Sequence, residues 1–187
     1  MEVESNKKKD PIFFVAILPS DEIAKEVTDF KNYAAEHFES SHALKSPPHV
    51  TIFPPFRWNE SKLKVLEKEI KNEAQKTSGF YLQLINFSSF APRVIYVDVE
   101  KSEELLNLYK GLKKRFLQEL DLSDKSPHKF SPHMTVAFKD LKRPYFLRAW
   151  AHYSQIRYER IFKVRDLVLL KHNGQKWEIL KKFPLKD

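Results

Sequence analysis

Ser46-Pro47-Pro48-His49-Val50-Thr51-Ile52 returns later in the chain as Ser131-Pro132-His133-Met134-Thr135-Val136, with the two histidines 84 positions apart. Each copy is Pro-His-x-Thr followed by a β-branched apolar residue, and each follows a polar, turn-rich stretch. Residues i and i+2 of a strand point to the same face, so His49 projects with Thr51 and His133 with Thr135. The proline before each histidine presets an extended entry and removes one backbone donor at the strand start. One His-x-Thr is an ordinary strand fragment, because threonine is common in strands. Two copies in the same local frame point instead to two similar units facing one substrate. A neutral imidazole accepts a proton, an imidazolium donates one, and a threonine hydroxyl can bond a non-bridging phosphate oxygen. Two opposed half-sites of this kind flank a phosphorus in the in-line arrangement that phosphoryl transfer needs.

Working outward, Ile12-Phe13-Phe14-Val15-Ala16-Ile17-Leu18 is an apolar run of strand length, buried on both faces. Ser20 is a suitable helix cap, with Asp21 and Glu22 at the positive end of the dipole and Ile23, Val27, Phe30 and Ala34 at helical spacing. Asn59 caps a second helix that stops at Ser78-Gly79, glycine suiting the left-handed position past a helix end. Phe80 to Phe90 alternates as a half-buried strand, and Val94 to Val99 is another. Ser102 caps a third helix with Leu105, Leu108, Leu112 and Phe116 on one side. A less regular helical stretch runs to about Tyr158. Phe162 to Leu170 reads as one strand, and Asn173-Gly174 marks a hairpin into the last strand, Lys176 to Phe183. Helices interspersed with single strands fit an α+β class better than a doubly wound sheet.

The bulk numbers exclude several chemistries. The chain has 187 residues and a 42% hydrophobic share, enough for one globular domain. The boundaries expected are 1–10 for a charged, disordered lead-in and 11–187 for a single bilobal domain. Cysteine is absent, which removes thiolate nucleophiles and cysteine-ligated metals. Gly79, Gly111 and Gly174 are the only glycines, so neither a P-loop nor a GxGxxG turn can form. No run is long enough for a membrane span, and no apolar segment of a secretory signal precedes Asp10. The expected protein is therefore cytoplasmic, without a membrane. Its +8 charge favours polyanionic partners, and basic residues crowd the stretch from Lys139 to Lys182. The remaining histidines, including His37, His42, His128, His152 and His172, match no zinc spacing and receive no role.

With its two motifs, its opening Phe13-Phe14-Val15-Ala16-Ile17-Leu18-Pro19, Val94-Ile95-Tyr96-Val97 and the closing Trp177 to Leu185, the chain resembles the 2H phosphoesterases. Within them it is most similar to the branch of 2′-5′ RNA ligases and RNA 2′,3′-cyclic phosphodiesterases. The resemblance implies an α+β, bilobal, pseudo-twofold fold: two antiparallel sheets with outer helices flanking a central cleft. It implies His49 and His133 as the acid–base pair, Thr51 and Thr135 on phosphate oxygens, and no cofactor or metal. The implied activity is metal-independent hydrolysis of 2′,3′-cyclic phosphates, on RNA termini or small nucleotides, to 2′-phosphates. Alternatives are a 2′-5′ phosphodiesterase or RNA ligase, and a binding module for RNA ends without catalysis. A monomer suffices for any of them.

Two departures from the family pattern bear on substrate preference. Phe53-Pro54-Pro55-Phe56 is expected to bend the first motif strand early. Phe138 stands where relatives of the branch often carry arginine, with Lys139 following. Phe138 can stack on a base or pack as an ordinary strand phenylalanine, Lys139 shares the motif face if the strand continues, and Arg93 is a further phosphate-binding candidate. Which histidine is the base depends on how the substrate lies, and the sequence leaves it open.

Overall fold

The structure, a computed structural model, describes residues 9–126 and 129–186. The first eight residues of the expected lead-in, and His128, lie outside that range. Eight strands form two four-stranded, wholly antiparallel sheets. The first contains β1 (Ile12–Ile17), β2 (Val50–Arg57), β7 (Asp166–His172) and β8 (Trp177–Pro184), in the order β2-β1-β7-β8. The second contains β3 (Phe80–Phe90), β4 (Val94–Val99), β5 (His133–Ala137) and β6 (Glu159–Val164), in the order β5-β4-β3-β6. Each motif strand, β2 or β5, is therefore an edge strand, paired to an inner strand: β1, buried on both faces, or β4, buried but for the exposed Asp98 and half-buried Val94.

The four helices are α1 (Asp21–Phe38), α2 (Leu63–Ala74), α3 (Glu103–Leu120) and α4 (Arg143–Tyr153). α1 leaves the first sheet and returns to it, yet it packs against β5 and α4 over the second. Phe30 of α1 meets Phe87 of β3 edge-on at 5.0 Å, and the Tyr153 hydroxyl of α4 donates to the Phe30 carbonyl at 2.7 Å. α3 does the converse: it connects β4 to β5 but packs with α2 on the first sheet, Phe116 lying 4.7 Å from Phe53. The pseudo-twofold is thus an exchange of helices, and one apolar core extends through both lobes. The repeat reaches the helix ends. α1 and α3 are both 18 residues long, their caps Ser20 and Ser102 stand 82 positions apart, and so do the left-handed residues that end them, Glu39 and Asp121.

β1 has two apolar faces because it has two cores to fill. Phe13, Val15 and Ile17 enter the main core, while Phe14 and Ala16 join Val168 and Leu170 on the cleft side. Between α2 and α3, Arg115 bonds the buried Glu69 and Glu73 at 2.9 and 3.1 Å. Gly111 permits that approach, since a Cβ there would stand 1.9 Å from a Glu73 carboxylate oxygen.

Two local expectations are corrected. The run from Phe162 to Leu170 is two strands in two sheets, separated at Arg165 where alternating burial gives way to continuous burial. Pro54 and Pro55 sit where β2 is irregular: Val15 pairs with Phe53 and Phe13 with Phe56, so the register against β1 shifts across the two prolines, and the strand then runs on to Arg57. The second helix ends at Ala74 rather than Ser78, and Gly79 is not left-handed; its N–H donates to the Lys186 carbonyl at 3.0 Å.

Candidate active site

The two motif strands meet edge to edge where the lobes face each other. His133 is the first residue of β5 and His49 immediately precedes β2, and each ring is tied back to the loop before it. Nδ1 of His49 lies 2.7 Å from the Pro47 carbonyl, and Nδ1 of His133 lies 2.7 Å from the Ser131 carbonyl. A carbonyl can only accept, so Nδ1 carries the hydrogen in both rings. The free nitrogen of each neutral imidazole is then Nε2, with its lone pair available. Thr51 and Thr135 follow on the same strand faces and, like both histidines, are partly buried.

The surroundings differ. His49 packs on Phe14 at 4.8 Å, and Trp177 meets Phe14 edge-on at 4.6 Å. Burial pushes His49 down to about 4, against the pull of its carbonyl bond; the Lys31 cation and His133 push the same way. His133 lies between Phe90 at 5.2 Å and Tyr96 at 5.0 Å. Burial lowers it as well, but the Ser131 carbonyl and Asp98, its cross-strand partner, act in the opposite direction.

Two residues that hold the site together carry no motif. Lys31 is 2% exposed on the inner face of α1, and its Nζ donates to the carbonyls of Ala43 and Ser46 at 3.1 and 3.0 Å. Burial pushes Lys31 down to about 8. It braces the 3-10 turn His42–Lys45 and the loop entering the first motif. Asp140, just past β5, accepts from the Ser40 hydroxyl at 2.9 Å and from the backbone N–H groups of Ser41 and His42 at 2.9 and 2.8 Å. It thereby ties the loop after one motif to the loop before the other. The signal for Lys31 was present, a lysine on the stripe of Val27 and Ala34. Asp140 had none, because its partners lie about a hundred residues away.

The three other candidates lie at the periphery. β5 ends at Ala137, so Phe138 is beyond the ladder, partly buried and edge-on to His42 at 5.1 Å. Lys139 is exposed with φ of 65°, which breaks the period-2 alignment with His133 and Thr135. Arg93 is exposed at the β3–β4 turn. Among the described residues no group of three or more His, Asp or Glu side chains could hold a metal ion, and no helix is long and apolar enough to cross a membrane.

Comparison with known proteins gives a consistent set of relatives. A family model described as the 2′-5′ RNA ligase superfamily matches residues 19–176. A protein of Geobacillus sp. (strain WCH70), provisionally named a phosphoesterase, is 34% identical over 149 residues, covering 79% of this chain and 78% of its own. A similarly named protein of Bacillus cytotoxicus is 35% identical over 127 residues, 67% of this chain and 68% of its own. Among solved structures, E. coli LigT complexed with 3′-AMP superposes with a TM-score of 0.71 at 17% identity, over 96% of this chain and all of LigT. The protein TT0787 of Thermus thermophilus gives 0.70 at 19%, over 94% and 98%. The LigT-like likeness establishes the architecture: two antiparallel sheets, outer helices and a cleft between them.

Proposed function

This chain belongs to the 2′-5′ RNA ligase superfamily of 2H phosphoesterases, and on that premise we propose that it is a metal-independent phosphodiesterase opening 2′,3′-cyclic phosphates on RNA ends or nucleotides to 2′-phosphates. One observation carries this reading. Two imidazoles on facing edge strands, each with Nδ1 bonded to a carbonyl at 2.7 Å, both leave Nε2 free. Such a pair serves a reaction in which one proton is removed from the attacking water as another is delivered to the leaving oxygen. Thr51 and Thr135 supply hydroxyls for the non-bridging oxygens, whose charge grows as the bond breaks. Electrostatics favour an anionic substrate. Thr51, Ala16, Val168 and Lys182 form one cross-strand row, which carries a lysine onto the same face of the sheet as the motif. LigT, the structural neighbour, has been crystallised with 3′-AMP and with ATP, in keeping with a nucleotide ligand.

The test is turnover, in EDTA, of a short RNA ending in a 2′,3′-cyclic phosphate. Expected is a 2′-phosphate product, with His49→Ala and His133→Ala each slower by about 10²–10⁴, the usual worth of general acid–base catalysis. Turnover within a few-fold of wild type in either variant would remove the paired-histidine mechanism. Turnover confined to a 2′-5′-linked dinucleotide would replace the cyclic substrate with the 2′-5′ phosphodiester.

A further inference from the structure

The half-sites share strands and ring anchors, but the space beside them is unequal. A cavity of about 840 Å³ opens at Thr51 and His133, and its lining includes neither His49 nor Thr135. Its walls are apolar and in large part aromatic: Pro54 and Pro55 of β2, Phe90 at the end of β3, Tyr109 of α3 and Phe130 in the loop before β5. The Tyr109 and Phe130 rings stack 4.0 Å apart at 7°, and Phe90 is 41% exposed, edge-on to the His133 imidazole. Asp124 and Lys129 add polar groups. The volume lies within the ~300–1,000 Å³ of small-molecule sites, and a mostly apolar lining with a few polar groups is their usual make-up. On the His49 flank, Phe14 closes against the ring with Trp177 packed behind it, and the cavity between Lys31, Pro47 and Trp177 measures only about 250 Å³.

We propose that the aromatic cavity takes the nucleobase of the nucleoside whose ribose carries the scissile phosphate, and that this polarity makes His133 the general acid and His49 the general base. The inference rests on the hydrolytic reading above. With the ribose seated on the His133 side, its 3′ oxygen departs toward His133. Water in line with that bond then approaches from the His49 side. The water oxygen bonds to phosphorus as the P–O3′ bond breaks. The water proton passes to His49 Nε2, and the 3′ oxygen takes the proton from His133 Nε2, leaving a 2′-phosphate and a 3′-hydroxyl. The two rings finish with their protonation states exchanged and reset through solvent. The environments agree with these roles: apolar packing and Lys31 favour neutral His49, whereas Asp98 favours a protonated His133.

The base site and the assignment of roles are tested separately. First, kcat/KM is compared for adenosine 2′,3′-cyclic phosphate and base-less ribose 2,3-cyclic phosphate, in wild type, Phe90→Ala and Phe130→Ala. The ratio of the two substrates is expected to fall five- to hundred-fold in the variants, the range of one base–aromatic stack; an unaltered ratio overturns the base site. Titration of the wild type with adenosine 2′-phosphate and ribose 2-phosphate needs neither a variant nor turnover. At least fivefold tighter binding of the nucleotide is expected, and equal binding overturns the site even if no substrate is hydrolysed. Second, sulfur replaces the bridging 3′ oxygen, since a thiolate leaves without protonation. The loss in His133→Ala should shrink at least tenfold on that substrate while the loss in His49→Ala persists. Rescue of His49→Ala instead, or of neither, overturns the assignment of roles.

Discussion

The His49 and His133 half-sites have a common backbone plan and opposite surroundings. Both rings stand at the start of an edge strand, His133 as the first residue of β5 and His49 just before β2; both tie Nδ1 to the carbonyl two residues back at 2.7 Å, and both precede a threonine on the same face. Yet His49 is packed by Phe14, backed by Trp177 and near a buried lysine, while His133 stands beside an aspartate at the mouth of a cavity. Repetition of the motif supplies two imidazoles anchored alike, each with Nε2 free. On the proposed reading, what each nitrogen does is decided by residues that the repeat does not share.

The comparison can be broken most decisively with the double variant His49→Ala/His133→Ala. If the half-sites act as one device, it loses no more than the worse single variant, about 10²–10⁴ in kcat. Losses that multiply in steady-state kinetics would mean independent contributions. The next effect is on stability. His49, at about 4 in the folded protein, stays neutral where the unfolded histidine takes a proton, so the unfolded state binds more protons as pH falls from 6.5 toward 4. Wild type should lose at most about 3 kcal/mol over that window through His49. Urea unfolding at successive pH values should show the slope flattened in His49→Gln, and flattened less in His133→Gln, where Asp98 offsets part of the burial.

Smaller effects sharpen the asymmetry. Asp140→Ala removes the acceptor of the Ser40 hydroxyl and of two backbone N–H groups ahead of the first motif. It should cost about 2 kcal/mol in urea melts and speed hydrogen exchange at Ser41 and His42. Least of all, Lys31→Met withdraws a cation near His49, and the acidic limb of the kcat/KM profile should move to higher pH. Asp98→Asn withdraws an anion beside His133 and should move its limb to lower pH.

The motifs made the site legible because period-2 geometry is local: a histidine and a threonine two apart on a strand share a face whatever the rest of the chain does. The burial of β1 on both faces was legible for the same reason, since a run with no polar residue has no solvent side. Lys139 shows the limit of that reasoning. Its alignment with Thr135 required the strand to continue, and the chain instead turns at φ of 65°, with the Asp140 N–H donating to the Phe138 carbonyl at 2.8 Å. The cavity was not legible because Pro54, Phe90, Tyr109 and Phe130 come from four segments with no periodic relation. The exchange of α1 and α3 was equally hidden: an amphipathic stripe says that a face is buried, not against which sheet.

That exchange has a consequence for motion. Two lobes that each bury the other's helix cannot swing apart on a hinge without exposing the core they share, with Phe30 drawn from Phe87 and Phe116 from Phe53. The jaws of this cleft are therefore fixed, and unfolding takes both together in one cooperative step. Entry and exit of a substrate fall to what the core does not hold: the β3–β4 turn and the side chains at the rim.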